Sequence, residues 1–128
     1  MPLELKDRLV AAGFAFRGYN QTNLGRTAEL LTHAAYGPTV ERYLREASEI
    51  CATATHRHVD LVERVREKRE STLESFAEDI GLILSVELAQ MQLLTDFFGI
   101  EYRKARLSLG YSLGEVAALV CAGVYELS

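Results

Sequence analysis

Apolar positions change period along the chain, and those changes divide it into elements. Residues 12–16 form a short apolar run that stops at Arg17, Gly18, Tyr19 and Asn20, the pattern of a buried strand running into a turn. Residues 23–31 have the spacing of a short helix. Gly37 and Pro38 mark the next boundary, because proline fits a first helical position, where its missing N–H is not needed. From Pro38 onward Val40, Tyr43, Leu44, Ala47 and Ile50 return every three or four residues, with Glu41, Arg42, Arg45 and Glu46 on the other face, which predicts an amphipathic surface helix. Val59, Leu61, Val62 and Val65 continue a weaker pattern. They lie within the charged run 63–70, whose alternating signs predict a solvated helical face.

Ser71, Thr72 and Ser75 offer a helix cap, and from Phe76 to Leu94 few positions are polar. This predicts one central helix over 72–98, buried because it is apolar nearly all round, with Gly99 supplying the left-handed end. Residues 105–109 read as a short strand, and 110–115 turn into the apolar run 116–120, so the order is strand, tight turn, helix. Strands alternating with long helices predict an α/β protein, helix-rich, with about two short parallel strands and a long buried helix.

The 128 residues, 48% hydrophobic and 25% charged, have the composition of one soluble globular domain spanning 1–128. The net charge is −4, and Lys and Arg are mixed with Asp and Glu, so no footprint for a nucleic acid is expected. Glu87, Gln90 and Gln92 break the longest apolar stretch, and the charged first eight residues lead into no signal-peptide core. The expectation is therefore a cytoplasmic protein without a membrane partner. Cys51 and Cys121 have no paired spacing and read as small buried thiols. His56 and His58 with Cys51 match no common zinc pattern, so no metal is expected, and the two histidines read as a solvated helix start.

The chemistry concentrates at Gly110-x-Ser112-x-Gly114. Placed between a strand and a helix, this pattern is a nucleophile elbow, with Ser112 on a strained turn and glycines where side chains would crowd strand and helix. The helix that begins at Leu113 would aim its amino terminus at the reaction centre. The Leu113 backbone N–H would then be one oxyanion donor, favoured also by the helix dipole. The elbow by itself is shared by esterases, lipases and acyltransferases.

The residues around it narrow the choice. Gly110-Tyr111-Ser112-Leu113-Gly114-Glu115, then Ala117-Ala118-Leu119 and Cys121-Ala122-Gly123, resemble the elbow and following helix of malonyl-CoA:acyl carrier protein transacylases and polyketide synthase acyltransferase domains. Phe14-Ala15-Phe16-Arg17-Gly18 stands where that family has its first strand and turn, and Leu24-Gly25, Leu44 with Ala47-Ser48, and Phe98-Gly99-Ile100 fit its next helices. The resemblance is strong over 110–123 and weaker upstream.

It implies the amino-terminal part of an α/β-hydrolase-like acyltransferase core, an incomplete domain. It also implies an acyl-enzyme on Ser112, acyl-CoA as substrate with no bound cofactor, and an acyl carrier protein as partner. Tyr19 occupies the place of the family's oxyanion-loop glutamine, with Gln21 as the alternative, and Tyr111 replaces the usual histidine before the nucleophile; these three are the candidate substrate-binding residues. No Gln-Pro pair opens the long helix, where Gly81 falls instead. The family's base histidine and carboxylate-binding arginine lie downstream of its elbow, whereas His33, His56 and His58 all precede this one. An incomplete core is expected to self-associate through uncovered sheet edges. A serine hydrolase and a non-catalytic, degenerate acyltransferase used for docking remain the alternatives.

Overall fold

The computed structural model describes residues 13–19, 22–101, 107–110 and 114–121. The elements are β1 (Gly13–Phe16), α1 (Thr27–Thr32), α2 (Gly37–Thr55), α3 (Leu61–Arg66), α4 (Phe76–Phe98), β2 (Leu107–Gly110) and α5 (Gly114–Cys121). The fold is helix-rich. β1 and β2 pair in parallel, with Gly13 opposite Leu107 and Phe16 opposite Gly110. A parallel pair needs a long crossover, and here α1 to α4 supply it.

The core lies between α2 and α4, with α3 closing one side. Val40, Leu44, Cys51, Leu61, Val62, Val65, Leu82, Ala89 and Leu93 form one buried cluster. Gly81 lets the two long helices approach closely, since a Cβ there would lie 2.6 Å from Cys51 Sγ. Pro38 sits in the first turn of α2 as the sequence predicts, and Gly99 ends α4 with φ 64°.

Four expectations need correction. Residues 23–26 are a turn rather than helix, with Gly25 at φ 51°, so α1 starts only at Thr27. α3 stops at Arg66, because no apolar residue after Val65 holds the charged run against the core; Lys68 takes φ 54° and the Arg69 N–H returns to the Arg64 carbonyl. Within that run Arg64 is buried, not solvated. His56 ends α2 in the left-handed region rather than starting a helix.

The long helix also begins later than predicted and is less enclosed. Residues 72–75 form a turn in which Thr72 N–H donates to Ser75 Oγ at 2.8 Å, and Ser75, the residue before the helix, makes no side-chain capping bond to it. Along α4, Phe76 and Phe97 are about half exposed. By length and composition α4 is apolar enough to cross a membrane, and 39% of its most apolar stretch is buried.

Candidate functional site

Parallel pairing brings both strands to their carboxyl ends at one edge, where β1 leaves through Arg17 and β2 through residues 111–113. Crevices beyond the carboxyl ends of parallel strands are where α/β folds bind ligands. The start of α5 closes this edge tightly. Gly114 is buried, and a Cβ there would meet the Phe16 carbonyl oxygen at 2.1 Å. Three residues therefore join the end of β2 to a helix docked on the exit of β1. Ser112, Leu113 and Tyr111 fall among those three and, like Gln21, lie outside the described residues.

Tyr19 is described. It is 42% exposed and packs edge-on against Phe76, with ring centroids 5.3 Å apart. Phe76 is the first residue of α4, so the structure joins the candidate residue of the β1 exit to the start of the long helix. Leu73 beside it is fully exposed.

A polar network ties the same loop down further along. Glu70 accepts from the N–H groups of Asn23 at 2.7 Å and of Ser71 at 3.0 Å, with the Leu24 N–H at 3.4 Å. Burial alone would raise the Glu70 pKa, but these N–H donors together hold it below the usual carboxylate value. Asn23 Nδ2 donates to Ser71 Oγ at 2.7 Å, and Asn23 Oδ1 accepts from Arg17 Nη2 at 2.9 Å. Behind Ser71, Arg64 donates to Asp79 at 2.5 Å and to the Arg69 carbonyl at 3.0 Å. Sequence reasoning missed Arg64, Glu70 and Asn23, because each looks like ordinary surface polarity until a distant segment folds onto it.

Glu87 was legible only as an interruption of an apolar run. It faces inward on α4 and is 8% exposed, and neither carboxyl oxygen has a hydrogen-bond partner among the described residues. It lines a cavity of about 360 Å³ with Phe16, Arg17, Leu30 and Gln90. Burial raises its pKa to about 7, offset in part by the nearby Arg17 N–H and charge.

The folded state thus holds this proton up to about pH 7, while the unfolded chain releases it near 4.5. Between those values the native state binds more protons, so stability should fall as pH rises from about 4.5 to 7 and level off above. Glu87→Met should remove that slope and stabilise the protein at pH 8 by about 2 kcal/mol. Urea midpoints at pH 5 and pH 8 test this; an unchanged slope in the variant would mean that Glu87 is solvated.

Burial pushes the Cys121 thiol up to about 11, with Glu87 adding to the shift, and burial raises Cys51, whose Sγ faces the Ala77 carbonyl. Among the described residues no group of three His, Cys, Asp or Glu side chains could hold a metal ion. His56 and His58 are exposed, and the His33 Nδ1 accepts from the N–H groups of Ala35 and Tyr36. An apolar cleft of about 530 Å³ opens between α2, α4 and α5, with Ile50 and Val116 on its walls. No protein-family model matches the chain, and searches of curated proteins and of solved structures return no match.

Proposed function

We propose that this chain is the nucleophile-bearing part of an acyl-CoA:acyl carrier protein acyltransferase, with a partial α/β-hydrolase-like core. One observation carries this reading. A strand ends at Gly110 and a helix starts at Gly114, at the edge where the β1 exit also emerges, and a strand before and a helix after are what the Gly-x-Ser-x-Gly pattern requires.

In this reading Ser112 Oγ attacks the thioester carbonyl carbon of an acyl-CoA. The carbonyl oxygen takes the negative charge and accepts from the Leu113 N–H, the carbon–sulfur bond breaks, and the proton leaves with the CoA thiol. The phosphopantetheine thiol of a carrier protein then attacks the serine ester, so the acyl group moves to sulfur and Ser112 regains its proton. Acyl-CoA is a substrate here and no bound cofactor takes part. Tyr19, Gln21 and Tyr111 would surround the acyl thioester. The only histidines, His33, His56 and His58, lie before the elbow. An unassisted serine is a weak nucleophile, so the chain alone should transfer acyl groups slowly.

Intact-protein mass after incubation with acetyl-CoA or malonyl-CoA tests the reading. A mass gain that Ser112→Ala removes is expected, together with labelling of Ser112 by a fluorophosphonate probe. An adduct lost to water even in the presence of a carrier thiol would make the protein a hydrolase. Absence of both adduct and labelling would make it a non-catalytic relative.

A further inference from the structure

We propose that Glu70 is a positioning residue for the loop that leaves β1. Its carboxylate, braced by Ser71, Arg64 and Asp79, holds in place the loop that carries the candidate residues Tyr19 and Gln21. This rests on the acyltransferase reading above.

The case begins with loop 17–24, which has no regular secondary structure of its own among the described residues. A segment of that kind holds a shape only if something else satisfies its backbone groups. Both of its ends are held, and by one stretch of chain. At one end Tyr19 packs against Phe76. At the other, the Asn23 and Leu24 N–H groups converge on the two oxygens of Glu70, and the Asn23 amide reaches Ser71. Candidate Gln21 lies in sequence between these two anchors.

The bracing stretch is itself held from within. Glu70 precedes the turn that leads into α4. Ser71 Oγ takes one donor from Asn23 and another from Arg64 at 3.4 Å, which leaves its proton for Glu70 at 3.4 Å. Arg64 is fixed by the fully buried Asp79, whose carboxylate also receives Ser75 Oγ at 3.0 Å. Hydrogen bonds therefore run unbroken from the first turns of α4 to the loop at the mouth of the candidate site. A carboxylate gripping backbone N–H groups makes charge-assisted bonds, stronger than neutral ones and directional.

The test combines labelling with amide exchange on the full chain. Glu70→Ala should slow fluorophosphonate labelling of Ser112 by about tenfold, with Glu70→Gln, which keeps one acceptor oxygen, in between. In Glu70→Ala the Asn23 and Leu24 amides should exchange about tenfold faster while amides in α4 keep their protection. Ser71→Ala should give a smaller effect of the same kind. Val65→Ala, a core truncation at a 1% exposed position, serves as the stability control and should label at the wild-type rate below its melting range.

Equal labelling of wild type and Glu70→Ala, or equal slowing in Val65→Ala, would overturn the proposal and leave Glu70 a mere structural tie. Failure of the wild type itself to label at Ser112 would instead overturn the acyltransferase reading, and this one with it.

Discussion

Asp79→Ala should destabilise the protein by about 3–5 kcal/mol, enough to consume much of the stability of a small domain. Asp79 is fully buried and Arg64 is 4% exposed, so the ion pair at 2.5 Å lies out of reach of water. The mutual attraction of such a pair roughly offsets the cost of burying it, which is why the intact pair is weak as a source of net stability. Removing one partner is different, because a charged guanidinium stays in the interior.

Among the described residues Arg64 would then keep the Arg69 carbonyl and Ser71 Oγ as acceptors, with the Glu78 carboxylate 3.8 Å from Nη1. Ser75 Oγ would keep the Thr72 carbonyl as its acceptor at 3.0 Å. Partial compensation by Glu78 sets the lower end of the range. Replacing both partners by apolar residues, Arg64→Met with Asp79→Leu, should come within about 1 kcal/mol of wild type or be stabilising, since no buried charge is left over. Urea unfolding of the single and double variants reads the difference. An Asp79→Ala midpoint close to wild type would show that water reaches Arg64.

Arg64 also marks the limit of what could be read without coordinates. The periodic apolar positions of 40–50 and 76–94 marked the two long helices, because burial of one face is written locally, at intervals of three and four residues. The strand ending at Phe16, the break at Gly37 and Pro38 and the stop at Gly99 are equally local signals. Arg64, Glu70 and Asn23 carry no such signal. Arg64 finds its partner fifteen positions away and Glu70 finds Asn23 forty-seven away, so a charged run looks solvated until the crossover folds one segment against another. Glu87 shows the same limit from the opposite side. In a line of letters it interrupts an apolar helix; in the fold it is a buried carboxyl facing a cavity behind the exit of β1. The Ser112 motif was legible as a motif, since glycines two positions either side of a serine state a steric requirement directly. The packing of Tyr19 on Phe76 and the hold of Glu70 on Asn23 and Leu24 were not legible.

That steric requirement can be measured at Gly114. Gly114→Ala should destabilise the protein by about 3 kcal/mol, the upper range for overpacking, and abolish labelling of Ser112. The added methyl would lie 2.1 Å from the Phe16 oxygen, 2.6 Å from the Phe16 carbonyl carbon and 2.8 Å from the Arg17 oxygen. All three are backbone atoms, so no rotamer change can relieve the clash; α5 must lift off the exit of β1. Because β2 enters α5 through only three residues, lifting the helix also pulls on the Phe16 and Gly110 pairing.

Gly81→Ala is the matched comparison. Its methyl would lie 2.6 Å from Cys51 Sγ, the tip of a side chain that can rotate, and alanine in the interior of α4 recovers about 1 kcal/mol of helix propensity. Gly81→Ala should therefore be nearly neutral in stability and label like wild type. If the two variants lose stability equally, close packing of glycines in general is the cause. If Gly114→Ala alone loses both stability and labelling, the tight seat of α5 on the β1 exit is what Ser112 reactivity depends on.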